Sequence, residues 1–172
     1  MKLLPRLLFG LCLGLCLLQT AAADSPFNGR WKLDPAASTS LDPWSSLEMD
    51  IAVTADDLSL VRHYGAGPRI VDETIKLHNQ PTAQTISVEG WWDNKHIDAW
   101  LANHHQIDVT PAWQDDGRTL VLRIKMVLET QQGDRAVGVT RTLKLDPDGK
   151  TLREEQVRES RQLPIVQVYH KL

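Results

Sequence analysis

Alternating apolar and polar residues constrain this chain more than any other feature of its sequence. The stretch 47–54 alternates in this way, and 118–129 and 135–145 repeat the pattern. Successive side chains of a β-strand point to opposite faces, so this spacing predicts strands with one buried face. A helix would instead place its apolar residues three and four positions apart. The pattern therefore predicts a protein built from half-buried strands.

Short turn segments separate the alternating stretches. Asp56-Asp57, the run 65–68 and the run 146–149 carry the Gly, Asp and Pro residues that chain reversals need. Strands joined by such short connections run antiparallel. About ten strands with almost no helix predict an all-β protein, a single antiparallel up-and-down β-barrel of about eight to ten strands. The predicted strands are 28–33, 47–54, 57–64, 69–77, 84–92, 105–110, 118–129, 135–145, 151–159 and 164–171.

Two segments depart from the strand pattern. In residues 94–104, Ile97, Trp100 and Leu101 fall at helical spacing after Asp93, which predicts a short helix or lid. The segment 34–46 is rich in Ser and Pro, and we expect it to be a crossing loop.

The first 23 residues have the pattern of a cleavable signal peptide. Lys2 and Arg6 precede an apolar run, and small residues follow, with cleavage expected after Ala23. The apolar run is too short to span a membrane. One domain, residues 24–172, would then work in the periplasm or the extracellular medium.

Removal of this segment changes the composition that matters. Of 172 residues, 149 remain, and 17 Lys and Arg against 22 Asp and Glu give a net charge of −5. Both cysteines, Cys12 and Cys16, leave with the segment, which excludes a disulfide scaffold, a thiol enzyme and a zinc–thiolate site. The acidic balance argues against nucleic-acid binding. No later apolar run is long enough for a transmembrane helix.

The start of the mature chain carries a family resemblance. Residues 27–33 read F-N-G-R-W-K-L, and the G-x-W formed by Gly29 and Trp31 resembles the first-strand signature of lipocalin and wider calycin barrels. The hairpin 141–153 also resembles secreted bacterial lipocalin-like domains. This resemblance implies a barrel closed at one end by Trp31, with an arginine of a late strand, Arg158 or Arg161, stacked on it. A ten-stranded barrel of the fatty-acid-binding type stays open.

Several polar residues share the parity of buried apolar neighbours, so we expect them to point into the barrel. A buried guanidinium needs an acceptor, and a ligand carboxylate or phosphate can provide one. The functional hypothesis is a pocket for an amphipathic anion with its head group at Arg62, Tyr64 and Arg141. The alternative is that Glu73 and Glu154 pair with the arginines. The inward-pointing candidates are Arg62, Tyr64, Arg141 and Arg158.

Tryptophans and histidines cluster around the expected lid. Trp92, Trp100 and Trp113 are candidates for lining the mouth of an apolar pocket, with core packing as the alternative. His96, His104 and His105 lie near several aspartates, but they lack a recognised metal-ligand spacing, so we predict no metal site. A haem ligand at His170 or His105 is a further alternative.

These features predict an exported soluble binding protein that holds a small apolar or amphipathic, lipid-like ligand and needs no cofactor. No nucleophile elbow or phosphate loop is present, so catalysis is not predicted. A calycin-type enzyme, a haem barrel and a small outer-membrane β-barrel stay open as alternatives. Charge on both faces of 151–159 disfavours the last of these.

Overall fold

The computed structural model describes residues 24–89, 100–102, 105–160 and 163–172. The predicted signal peptide lies outside these residues. Within them the chain forms strands, and Asp115–Gly117 is a 3-10 turn. No helix in this part of the chain is long and apolar enough to cross a membrane. The strands are β1 Gly29–Leu33, β2 Ser46–Val53, β3 Asp57–Ala66, β4 Arg69–His78, β5 Gln84–Ser87, β6 Trp100–Leu101, β7 Gln106–Gln114, β8 Thr119–Glu129, β9 Arg135–Leu145, β10 Thr151–Arg158 and β11 Ile165–Lys171.

Ten of these strands form a nearly closed antiparallel barrel, as the alternation predicts. Their order around the sheet is β4, β3, β2, β1, β11, β10, β9, β8, β7 and β5, and the short β6 pairs with β8. Each of these ten strands pairs with the next one in the chain, apart from β4 and β5. In addition β1 pairs with β11, which brings the two ends of the barrel domain together. The seam lies between β4 and β5, whose edges are bridged at one end by the Gln84 carboxamide.

The core follows directly from the period of two. In β2, for example, Leu47, Met49, Ile51 and Val53 are buried while the residues between them are partly or fully exposed. Each strand contributes one such face, so the inward faces together form a single continuous core.

Aromatic residues close one end of the barrel, which we call the closed end. Trp31 is fully buried and donates an indole hydrogen bond to the Phe27 carbonyl at 2.9 Å. Phe27 in turn packs edge-on against Trp113, with ring centroids 5.2 Å apart. Trp31 therefore lies among the aromatic residues of this end.

The cation stacked on Trp31 differs from the expectation. Lys171 Nζ lies 5.2 Å from the Trp31 ring centroid, because Lys171 is the register partner of Trp31 on the last strand. Arg158 sits at the far end of β10, about 20 Å along the strand from the Thr151 end that pairs next to Lys171. The prediction of Arg158 at Trp31 is therefore wrong, and Arg161 lies outside the described residues.

Residues 34–45 cross the opposite end, as expected of a crossing loop. The Thr39 amide donates to the Val166 carbonyl at 2.7 Å, and the Ser45 amide donates to the Gly65 carbonyl at 2.8 Å. Between these anchors Leu41 and Trp44 are buried. We call residues 34–45 the strap.

The predicted helix at 94–104 is wrong where the structure can be compared. Trp100–Leu101 is strand β6, and most of the remaining segment lies outside the described residues. The strand expected at 84–92 covers Gln84–Ser87 and ends before Val88, and residues 90–92 lie outside the described residues. The strand expected at 105–110 extends through Pro111 to Gln114, where β7 has only β8 as a neighbour. Proline is tolerated there because its missing N–H faces no second strand.

Candidate functional site

The barrel interior contains several buried polar residues, and the four predicted inward-pointing residues are among them. Arg62, Tyr64, Arg141 and Arg158 are all buried, with Arg62 and Arg141 only 3% and 1% exposed. The strand parity used in the sequence analysis therefore assigned them to the correct face. We call the following residues the interior cluster: Arg62, Tyr64, Glu73, Arg141, Glu154, Gln156, Gln167 and Tyr169.

Arg62 contacts both carboxylates of the cluster. Its Nη2 donates a short hydrogen bond to Glu154 Oε1, and its Nη1 donates to the Tyr64 hydroxyl at 3.2 Å. The same Nη1 lies 3.7 Å from Glu73 Oε1. Arg62 on β3 thus connects β4 to β10 across the interior.

Arg141 pairs with Glu73 in a fork geometry. Its Nη1 and Nη2 donate to the two Glu73 carboxylate oxygens at 2.6 and 3.3 Å. Its Nε donates to the Gln156 carbonyl oxygen at 3.0 Å. Two parallel N–H bonds make this the geometrically best-defined ion pair of the cluster.

Tyr169 extends the cluster toward β11. Its hydroxyl lies 3.1 Å from Glu154 Oε2 and 2.8 Å from the Gln167 side-chain oxygen. A hydroxyl has one hydrogen to donate, so it bonds one of these oxygens at a time unless the Gln167 amide is turned to donate. Sequence reasoning missed Tyr169 and Gln167 as site residues, although both share the inward parity of Ile165.

Burial and charge shift the titration of the cluster. Burial raises the pKa of Tyr64 and of Tyr169, so both hydroxyls stay protonated and available as donors at neutral pH. Burial alone would lower the pKa of Arg62, but Tyr64 and Glu73 outweigh it and raise that pKa, so the guanidinium stays charged.

Chemically, the cluster is a charge-compensated hydrogen-bonding surface. The two carboxylates offset Arg62 and Arg141, which confirms the alternative weighed from sequence, that Glu73 and Glu154 pair with these arginines. Buried ions are stable only when each has such partners. Arg62 nevertheless has five N–H groups, and two of them donate hydrogen bonds to described residues. The guanidinium therefore retains donor capacity for a further acceptor.

Apolar residues lie between this cluster and the closed end. On β3, Leu58 and Leu60 precede Arg62, and on β9, Leu143 and Leu145 follow Arg141. The interior is thus apolar toward Trp31 and polar toward the strap. At the strap, the Trp44 ring packs 5.7 Å from the Tyr64 ring, and the Arg69 guanidinium lies 5.6 Å above Trp44.

The structure does not place Trp113 at the pocket mouth that was predicted for it. Trp113 lies at the closed end, where its indole donates to the Asn79 side-chain oxygen at 2.7 Å. Trp92 lies outside the described residues, and of Trp100 only the strand backbone is described. Trp44, which the sequence analysis did not select, occupies the strap end instead.

The described histidines lie on the outside. His105 is exposed, and His170 is exposed beside Asp34, with Nε2 3.4 Å from Asp34 Oδ2. Neither position fits a haem ligand inside the barrel. His96 and His104 lie outside the described residues. Across the described ranges, no group of three or more His, Cys, Asp or Glu side chains could hold a metal ion.

No protein-family model matches the chain, and a comparison with curated proteins finds no match.

Proposed function

We propose that this protein is an exported, lipocalin-like member of the calycin barrels that binds one small amphipathic ligand. The observation that carries the proposal is Arg62, a buried guanidinium with donor capacity beyond its described hydrogen bonds. The ligand's acceptor group, a carboxylate or phosphate, bonds Arg62 beside the Tyr64 hydroxyl. Its apolar part packs against the aliphatic residues toward the closed end.

The strap end is the entrance that fits this arrangement. The closed end is filled by Phe27, Trp31 and Trp113, whereas the strap covers the polar end with Leu41 and Trp44. Because Trp44 packs on Tyr64 and Tyr64 bonds Arg62, movement of the strap would expose the donors directly.

The test compares two probes that differ in charge. The full chain is expressed, the exported product is purified without detergent, and fluorescence titrations use 8-anilinonaphthalene-1-sulfonate and the neutral N-phenyl-1-naphthylamine. We expect both to bind, and the double variant Arg62→Met/Glu154→Gln to weaken sulfonate binding by about tenfold or more while the neutral probe changes little. This variant removes one positive and one negative charge, so the interior stays balanced.

The matched control removes an ion pair on the outer surface. Arg30 and Asp50 pair on the outside of β1 and β2, so Arg30→Met/Asp50→Asn changes charge equally without touching the interior. Its affinities should equal those of the original protein. Failure of both probes to bind, or unchanged sulfonate affinity in the interior variant, would overturn the proposal. Native mass spectrometry of the exported product provides a direct search for a retained ligand.

A further inference from the structure

We propose that the open edge of β4 is a self-association surface, on which a second copy of this chain adds its own β4 antiparallel. The β3–β4 register runs without a break from Asp57 opposite His78 to Ala66 opposite Arg69. The other edge of β4 faces the seam of the barrel, where the sheet ends.

One end of this edge already binds a peptide-like group. The His78 amide donates to Gln84 Oε1, and Gln84 Nε2 donates to the His78 carbonyl, both at 2.8 Å. A carboxamide has the same donor and acceptor as a backbone peptide unit. The edge therefore has the geometry to pair with an extended chain.

Backbone alternation extends this pairing capacity along the strand. In an antiparallel strand every second residue directs its N–H and C=O to the same side. Because His78 directs both groups to the seam, Lys76, Thr74 and Asp72 do so as well. Within the described part of the chain these groups have no hydrogen-bond partner on that side. Three alternate positions of β4 are thus open for a ladder.

The side chains on the outer face of this edge are self-complementary in charge. An antiparallel pair of β4 strands centred on Thr74 places Asp72 opposite Lys76 of the second copy, and Lys76 opposite its Asp72. Lys76 forms no ion pair with any described residue. Registers centred on Asp72 or Lys76 would instead place like charges opposite each other, which is unfavourable. Charge thus favours the two-fold register centred on Thr74 over these two.

Space and apolar surface beyond the edge fit this occupant. A groove of about 630 Å³ follows the seam between β4 and β5, with Lys76, His78 and Ile86 among its lining residues. At the other end of β4, Ile70 is 70% exposed. In the proposed register Ile70 lies opposite His78 of the second copy, so part of its surface becomes buried.

The experiment is sedimentation velocity on the exported product over a wide concentration series. We expect a monomer–dimer equilibrium. Lys76→Asp and Asp72→Lys should each raise the dimer dissociation constant about tenfold or more, since each places two like-charged pairs in the interface. Lys125→Asp is the matched control, because Lys125 is an exposed strand lysine on β8, away from the seam. It should associate like the original protein.

A mixture of the two charge variants provides the decisive arm. One chain then carries two acidic residues along β4 and the other two lysines, so the heterodimer restores both opposite-charge pairs. Dimers should reappear on mixing, which also shows that neither variant is misfolded. A monomer at every concentration would overturn the proposal and leave the edge to another occupant, such as an extended peptide. Dimers that both variants leave unchanged would overturn it as well.

Discussion

The interior of this barrel depends on matched charge between individual side chains. Arg62 and Arg141 are buried where an unpaired ion would cost several kcal/mol, and Glu73 and Glu154 lie within direct contact of them. Glu73 contacts both arginines, so removal of one group disturbs more than one pair. The site is therefore held together as a unit.

A double-mutant cycle on Arg62 and Glu154 measures this coupling. Arg62→Met alone leaves one negative charge in excess in the interior, and Glu154→Gln alone leaves one positive charge in excess. Each should therefore lower the free energy of unfolding by about 3–5 kcal/mol. The double variant should cost at least ~1 kcal/mol less than the two single losses combined. Urea denaturation gives the four free energies. Additive losses would show that the pair is not energetically coupled.

His63 lies on the outer surface, and its surroundings make the free energy of unfolding depend on pH. Its Nδ1 lies 2.8 Å from Asp72 Oδ1 and its Nε2 lies 3.2 Å from Asp50 Oδ2, so only the doubly protonated ring donates to both. Partial burial lowers the pKa of His63, but the hydrogen bonds to Asp72 and Asp50 outweigh it and raise that pKa. The hydrogen bonds from Arg30 and His63 hold the pKa of Asp50 at about 2, so this carboxylate stays charged.

The sign of the pH effect follows from the raised pKa of His63. Its stabilisation should be fully present below the unfolded value of about 6.5 and should be lost as pH rises through the higher folded value. His63→Gln should therefore lower the free energy of unfolding by about 0.3–1 kcal/mol more at about pH 5.5 than at about pH 8.5. When His63→Gln is measured in a protein that already carries Asp72→Asn, the difference between the two pH values should be smaller. A His63→Gln effect of equal size at both pH values would contradict the assignment.

The alternation of apolar and polar residues predicted most strands, and it failed where pairing with a distant strand decided the structure. The boundaries of β2, β8, β9 and β10 agree with the alternation within one residue. Residues 100–101 have helical spacing with their neighbours, yet they pair with Leu128 and Glu129. On β8, the pairing with β7 ends at Met126, so the edge of β8 beyond Met126 is open to the short strand β6. This non-local pairing overrides the local pattern.

The candidate site was predictable in part for the same reason. Parity alone assigns Arg62 and Arg141 to the interior, because it depends only on local alternation. Which carboxylate meets which arginine depends on the stagger of strands around the barrel. Arg62 and Glu154 are 92 positions apart in the chain, and no sequence pattern connects them.

Gly29 shows how one backbone position holds the first strand in place. Its φ is +129°, and a Cβ there would lie 3.0 Å from Lys171 Cε, the side chain that covers Trp31. Gly29→Ala should therefore lower the free energy of unfolding by about 1–3 kcal/mol, mainly through backbone strain. Thermal and urea unfolding measure the loss.

The matched control for this substitution lies in the β9–β10 turn. Gly149 has a φ of +69°, and a Cβ added there would meet nothing within 4 Å, so Gly149→Ala adds strain without a neighbour to displace. It should cost about 1 kcal/mol, less than Gly29→Ala. If both substitutions lower the free energy of unfolding equally, neither the contact with Lys171 nor the unusual φ of Gly29 adds to the cost.

The barrel separates buried ion pairs in its interior from charged residues on its outer surface. Paired ions inside are sealed by aromatic rings at one end and by the strap at the other. Outside, Arg30, Asp50, His63 and Asp72 form a continuous charged row across β1 to β4. Such a row would be costly against lipid hydrocarbon, which disfavours the outer-membrane alternative.

The pairing of β1 with β11 makes the barrel domain suitable for circular permutation. The Leu172 amide donates to the Arg30 carbonyl at 2.9 Å, and Lys171 Nζ donates to the Pro26 carbonyl at 3.0 Å, so the two ends of residues 24–172 lie side by side. A flexible linker of about five residues should join them without strain. New ends between Gln132 and Gly133 would open the exposed β8–β9 turn, whose backbone contributes no barrel pairing.

We expect this permutant to keep the β-sheet circular dichroism spectrum and a single cooperative unfolding transition. All strand pairs persist in it, and only the order in which the chain visits them changes. A second permutant, opened between Glu154 and Glu155, should fail to fold. This cut divides β10, which pairs with β9 on one side and β11 on the other, and it lies beside the Glu154 carboxylate that bonds Arg62. If the permutant opened at Gln132 fails to fold, or the one opened at Glu154 folds, the pairing of β1 with β11 does not control the stability of the barrel.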